Sequence, residues 1–141
     1  MRKFIKSITN VITNSSSEVF LMSNEDAEAI AKNYDNDDCI KIEKVTEEWL
    51  ENEGAYEAEA IFERCQLKNH FTDEELQIIN SVGGYYYLSE EDWSNIYHNH
   101  KELIDENMLG MSFIDIEDHF ANCEEAYDDA RSCAVWTDYR H

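Results

Sequence analysis

The sequence is short of basic residues. Only 11 Lys and Arg stand against 32 Asp and Glu, which gives a formal net charge of −21 at pH 7. Binding to a phosphate backbone depends on cations that displace counterions, so this balance disfavours a protein that binds nucleic acid directly. Arg2, Lys3 and Lys6 all lie in the first six residues. The acidity therefore belongs to the body of the chain.

Long apolar runs are also missing. No run approaches the ~20 residues that span a bilayer, and the N-terminus lacks the roughly 7–15-residue apolar core of a signal peptide. We therefore expect a cytoplasmic protein with no membrane partner. The four cysteines, Cys39, Cys65, Cys123 and Cys133, contain no CxxC pair. Without a secretory signal, they are interpreted as thiols in a reducing compartment.

Glycine is scarce, with four residues in the whole chain. The pair Gly83-Gly84 lacks the following lysine and the strand–loop–helix order of a phosphate-binding loop. This argues against a nucleotide site, and we expect no cofactor.

The residues that are present predict an α+β fold. At 141 residues and 43% hydrophobic content, the chain has the size and apolar material of one domain. We expect a small three- to four-stranded sheet packed with four to five helices. The division predicted is an N-terminal basic segment, residues 1–16, and a single acidic α+β domain, residues 17–141. Predicted strands are Ser17–Met22, Cys39–Val45, Tyr85–Leu88 and Ser112–Ile116; predicted helices are Ser23–Tyr34, Thr46–Leu67, Thr72–Val82, Ser89 to Ile104 and Glu117–Val135.

Two groups of side chains are candidate metal ligands. His98 and His100 are two positions apart, which on a helix separates their side chains by about 200°, so we interpret them as one solvated and one packed histidine. If residues 113–119 were extended, Asp115, Glu117 and His119 would share one face and could ligate a divalent cation. The alternative is that Glu117 opens the last helix and favours its dipole without any metal.

Nucleophilic chemistry has weaker candidates. Cys65 and His70 are close in the sequence, but Cys65 falls on a predicted apolar stripe, where a thiol is more often part of the core. We expect no catalytic residue and a protein that is not an enzyme.

Carboxylates on the last predicted helix form the most prominent feature. Asp118, Glu125 and Asp129 align along one side, and Glu124 with Asp128 extends the same surface. Carboxylates on a rigid helix can imitate a row of phosphates and attract a basic groove. The alternative is a solvated, repulsive surface that keeps the protein in solution.

The N-terminal stretch Lys6–Phe20, KSITNVITNSSSEVF, resembles the N-termini of small uncharacterised proteins of tailed bacteriophages, including those that infect gut bacteria. The resemblance covers about the first 22 residues and implies no catalytic residue. It implies a phage accessory protein, a class that includes inhibitors of host defence, host-takeover factors and minor virion components.

Charge and resemblance together favour a non-enzymatic phage accessory protein in the host cytoplasm. Its expected partner is a basic host or defence protein, which it would inhibit, for instance as a mimic of nucleic acid. Two alternatives stay open: a structural or packaged virion component, and a metal-dependent enzyme that uses Asp115, Glu117 and His119. The sequence leaves strand order and oligomeric state open.

Overall fold

The computed structural model describes residues 17–34, 40–84, 88–117 and 124–140. The chain divides into two compact units. The first contains the described residues up to Lys44 and from Gly110 onward, and the second is Val45–Leu109. The predicted basic segment, residues 1–16, lies outside the described residues.

The elements alternate between strands and helices along the chain. In order they are β1 (Ser17–Ser23), α1 (Asn24–Asn33), β2 (Ile40–Lys44), α2 (Glu47–Glu53), a 3-10 turn (Gly54–Glu57), α3 (Ala58–Cys65), a second 3-10 turn (Leu67–Asn69), α4 (Asp73–Val82), α5 (Glu90–Asn99), α6 (Lys101–Met108), β3 (Met111–Glu117), α7 (Glu124–Cys133) and β4 (Trp136–Arg140).

The first unit is built on an antiparallel four-stranded sheet with the order β2-β3-β1-β4. β1 and β3 are central, and every described pairing is antiparallel. This confirms the predicted α+β class with a small sheet. The two central strands are far apart in the sequence, so the sheet forms only when the N-terminal and C-terminal parts of the described chain pair with each other.

Helices α1 and α7 cover one face of this sheet. Side chains alternate along a strand, so one set from β1 and β3 points toward the helices. The resulting core contains Phe20, Met22, Ala27, Ile30, Ile114, Ile116, Ala126, Tyr127 and Ala130. Helix α1 begins where predicted, because the Ser23 side chain accepts a hydrogen bond from the Asp26 backbone N–H at 3.2 Å.

The second unit is helical and is organised around Trp93. The Trp93 indole N–H donates to the Leu50 carbonyl at 2.6 Å, and its ring is stacked on Tyr97 with centroids 6.0 Å apart. Gly54 lies directly against the ring, because a Cβ there would come within 2.5 Å of it. At this point the helix predicted from Thr46 to Leu67 is divided into α2, a 3-10 turn and α3.

Three other predictions change. The last helix was predicted to begin at Glu117, but Glu117 ends β3, because it continues the ladder opposite Ser17. The helix after Ser89 is divided at His100. β4 was not predicted, although from Thr137 to Arg140 its β-branched and aromatic residues alternate with charged ones. The strand predicted at Tyr85–Leu88 falls largely on residues outside the described ranges, and Leu88 itself is not in a strand.

Candidate binding surface

Helices α1 and α7 together form an acidic layer, which we call the acidic helix pair. They pack against each other on the same face of the sheet. Their sequences contain seven carboxylates against two cations, Lys32 and Arg131. The carboxylates are Glu25, Asp26, Glu28, Glu124, Glu125, Asp128 and Asp129. All are exposed except Asp26, which is partly buried.

The predicted surface residues lie on this layer. Glu124, Glu125, Asp128 and Asp129 are exposed on α7, as the helical spacing indicated. Residues three or four apart on a helix are neighbours, so these carboxylates form a continuous patch about one turn wide. Asp118 was predicted to extend the patch, but it lies outside the described residues.

An ion pair between the buried Glu18 and the half-exposed Arg131 joins α7 to the sheet. The Glu18 carboxylate on β1 accepts hydrogen bonds from Arg131 at 2.9 Å and from the Thr137 hydroxyl at 2.7 Å. Glu18 is 2% exposed, so its charge depends on these partners. The hydrogen bond with Glu18 raises the pKa of Arg131. Arg131 also lies 3.7 Å from the exposed Asp128 carboxylate, and its side chain stays 47% exposed.

Further hydrogen bonds hold the layer together. The Tyr34 hydroxyl, at the end of α1, donates to the Asp129 carboxylate on α7 at 2.6 Å. The Tyr127 hydroxyl donates to the Ile116 carbonyl on β3 at 3.0 Å, and the Arg131 guanidinium lies over the Tyr127 ring at 5.1 Å. These contacts place the carboxylates on a firmly packed scaffold. Rigid charges lose little conformational freedom when they bind a partner.

The predicted metal ligands are partly brought together. Asp115 and Glu117 are both buried and are two positions apart on β3, so they share a sheet face. Glu117 forms an ion pair with Lys41 of β2 at 3.7 Å. His119 lies outside the described residues. Across the described ranges, no group of three or more His, Cys, Asp or Glu side chains is arranged to hold a metal ion.

His98 and His100 lie in different surroundings. His98 is exposed and its Nε2 lies 3.1 Å from a carboxylate oxygen of Glu51. His100 is at the junction of α5 and α6, and its Nε2 lies 2.8 Å from Glu75 Oε1. The two histidines therefore have separate carboxylate partners. This agrees with their interpretation as one solvated and one packed side chain.

Sequence reasoning missed the cluster around Glu75. It identified the capping box correctly: the Thr72 backbone N–H donates to Glu75 Oε1 at 2.9 Å, and the Glu75 backbone N–H donates to Thr72 Oγ1 at 3.1 Å. The same Glu75 carboxylate is also hydrogen-bonded to the His100 ring and accepts a hydrogen bond from the Asn99 side-chain amide, both at the C-terminal end of α5. Burial raises the pKa of Glu75, but hydrogen bonds from His100, the Thr72 backbone and Asn99 outweigh that effect and hold the pKa below its ordinary value. No local sequence signal connects residues 25 positions apart.

Cys65 lies in the core of the helical unit. It is a buried free thiol, and burial raises its pKa to about 12. A cleft of about 240 Å³ lies nearby, lined by Phe62, Glu63, Gln66, Lys68 and Asn69. These lining residues contain no cysteine, serine or histidine that could act as a nucleophile or base.

Comparison of the chain with protein-family models, with curated proteins and with solved structures gives no match. Within the described ranges, no helix combines the length and apolarity that are required to cross a bilayer.

Proposed function

We propose that this chain is a non-enzymatic binding protein that uses the acidic helix pair to occupy a basic surface on another protein. The observation that carries the proposal is the arrangement of seven carboxylates on two helices, against two cations of which Arg131 pairs with Glu18 of the sheet. Fixed charges of one sign attract an oppositely charged surface and accelerate association. The acidic helix pair is thus suited to a partner with clustered Lys and Arg.

The most fitting partner is a protein that ordinarily binds nucleic acid. Residues three or four apart on a helix have Cβ atoms about 5–6 Å apart, so their carboxylates form a row that can stand in for successive phosphates in a basic groove. The N-terminal resemblance to tailed-bacteriophage proteins supports a role as a phage accessory protein that inhibits a host or defence protein. The place of action under this proposal is the host cytoplasm.

A four-site neutralisation of α7 tests the proposal. The variant changes Glu124 and Glu125 to Gln and Asp128 and Asp129 to Asn. The matched control changes four exposed carboxylates of the helical unit to Gln: Glu48, Glu74, Glu91 and Glu106. Both variants carry the same net charge, so they separate an effect of the patch from an effect of total charge.

Affinity capture from host lysate at low salt is the readout. We expect the wild type and the control to retain the same basic protein and the α7 variant to lose it. Elution should occur as salt rises, because exposed charges are screened beyond about 10 Å at 0.1 M salt. Retention of no basic protein by the wild type, or equal retention by all three chains, would refute the proposal.

A further inference from the structure

The cleft at the C-terminal end of α3 lies outside the acidic helix pair. It has a volume of about 240 Å³ and is lined by Phe62, Glu63, Gln66, Lys68 and Asn69. Drug-sized ligands occupy pockets of about 300–1,000 Å³, so this cleft fits a smaller molecule. All of its lining residues belong to the helical unit. Binding in the cleft therefore does not depend on the proposed function.

The backbone of Gln66 turns the chain so that the cleft can form. Gln66 follows the last residue of α3 with φ 52° and ψ 40°, in the left-handed region, and its N–H donates to the Glu63 carbonyl at 3.2 Å. The second 3-10 turn follows, and Leu67 anchors it with a fully buried side chain. Glycine adopts the left-handed conformation without strain, whereas glutamine is strained there, and such strain is concentrated at ligand sites. In return, glutamine places a side chain on the cleft wall.

The base of the cleft is a firmly packed aromatic ring. Phe62 is 2% exposed and packs edge-to-face on Phe71, with ring centroids 5.0 Å apart. Long polar side chains can cover an apolar surface with their methylene groups while their polar ends stay in water. Glu63, Gln66 and Lys68 supply such methylene groups to the cleft. The cleft therefore combines an apolar interior with a polar rim.

The rim has two opposite charges that do not pair with each other. Lys68 forms no hydrogen bond or ion pair within the described ranges, although the chain has 32 Asp and Glu against 11 Lys and Arg. Glu63 lines the same cleft. A molecule that has both a carboxylate and an ammonium group complements these two side chains. Because such a molecule has no net charge, the net charge of −21 does not repel it as it would repel an anion.

We propose that the cleft binds a free α-amino acid with an aromatic or long aliphatic side chain. Its carboxylate pairs with Lys68, its ammonium group pairs with Glu63, and its apolar side chain enters toward Phe62. The polar pairs fix the orientation of the ligand, and burial of the apolar group supplies most of the affinity. A residue inside a peptide has amides in place of both charged groups, so the pair of charges favours the free amino acid.

Titration with L-phenylalanine, followed by the backbone amide NMR signals of residues 62–69, tests the proposal. We expect saturable shifts of these signals. Lys68→Met and Glu63→Gln should each weaken binding by up to about fivefold, the range for an exposed ion pair. Lys44→Met and Glu74→Gln are the matched controls, because each removes an exposed charge of the same sign outside the cleft. The controls should leave the affinity unchanged, and circular dichroism confirms that each variant is folded.

Two analogues of phenylalanine assign the two charges. Hydrocinnamate lacks the ammonium group, so Lys68→Met should weaken its binding and Glu63→Gln should not. Phenethylamine lacks the carboxylate and should show the reverse pattern. Free glycine has both charges but no apolar side chain, so it should produce no saturable shifts.

Gln66→Gly separates backbone strain from binding. Glycine relieves the strain at this position, so the urea midpoint should not fall. The loss of the side chain from the cleft wall should weaken the binding of L-phenylalanine. A residue with only a structural role would not lose binding while stability is retained.

Four outcomes would overturn the proposal. The first is an absence of saturable shifts at residues 62–69 on addition of L-phenylalanine. The second is an equal loss of affinity for Lys68→Met and Lys44→Met, and the third is an equal response of both analogues to the Lys68 and Glu63 variants. The fourth is tighter binding of a capped peptide than of the free amino acid, which would identify the cleft as a site for a protein segment.

Discussion

Gly54 is the residue at which a missing side chain matters most. The Trp93 ring occupies the space of its Cβ, with three ring atoms within 2.7 Å of where that atom would lie. The backbone of Gly54 is ordinary right-handed helix, so close approach and not conformational freedom requires glycine. The indole in turn is held by its hydrogen bond to the Leu50 carbonyl.

Gly54→Ala should therefore lower the free energy of unfolding by about 2 kcal/mol, a typical cost of overpacking. Urea unfolding measures this change. Trp93→Phe in the Gly54→Ala background provides the control, because a smaller ring relieves the clash and the two changes should be strongly non-additive. Additive losses would show that the contact does not exist.

Glu75 gives a prediction for pH dependence. Its folded pKa is lowered, so its hydrogen bonds contribute stability above the unfolded pKa, which is about 4.3. That contribution is lost as the pH falls through the folded pKa. Glu75→Gln should cost about 2 kcal/mol at neutral pH, the range for hydrogen bonds to a charged group. The difference from the wild type should shrink in acid.

Urea unfolding at a series of pH values between neutral and strongly acidic tests this dependence. The exposed neighbour Glu74 supplies the control, because Glu74→Gln should show a small difference at every pH. A constant difference between wild type and Glu75→Gln across the series would rule out the carboxylate as the source of stability.

At the scale of elements, the Arg131–Glu18 ion pair is one of the contacts that attach α7 to the sheet. Arg131→Met leaves the Glu18 carboxylate buried with the Thr137 hydroxyl as its remaining described hydrogen-bond partner. We expect a loss of about 2 kcal/mol in the free energy of unfolding. Lys32→Met removes the other cation of the acidic helix pair at an exposed position and should change stability by about 0.5 kcal/mol or less.

Thermal or urea unfolding distinguishes the two variants. Adding Glu18→Gln to Arg131→Met should restore part of the loss, because it removes the charge that was left without its partner. Equal losses of unfolding free energy for Arg131→Met and Lys32→Met would contradict the role of the Arg131–Glu18 pair.

Elements with a local signal were predicted from the sequence. Ser23 and the Thr72–Glu75 capping box mark helix starts through side chains that bond the first turn. β4 and the break at Gly54 were not predicted, because both depend on distant partners. β4 is fixed by pairing with β1, in which Thr137 lies opposite Phe20, and Gly54 is fixed by the indole of Trp93.

The candidate surface was predicted only in part. Four exposed carboxylates of α7 were identified from helical spacing. The contribution of α1 and the pairing of Arg131 with Glu18 were not identified. Both depend on which face of the sheet the two helices cover. The hydrogen bond between Tyr34 and Asp129 likewise joins residues 95 positions apart. Local periodicity contains no information about such contacts.

For the whole molecule, the net charge of −21 should make stability depend on salt. A compact state with this charge is destabilised by self-repulsion, which dissolved ions screen. The urea midpoint should rise as sodium chloride increases from about 0.05 M to about 0.5 M. The four-site control variant, with fewer carboxylates, should show a smaller rise. A midpoint that falls with salt would mean that attractive pairs outweigh the repulsion.

The most direct measurement is calorimetric titration of the captured basic protein with the wild type, the α7 variant and the control at several salt concentrations. We predict that the α7 variant binds at least about tenfold more weakly than the control, a difference of about 1.4 kcal/mol, and that the affinity of the wild type falls steeply with salt. Equal affinities for the α7 variant and the control, or an affinity that does not change with salt, would contradict binding through the acidic helix pair.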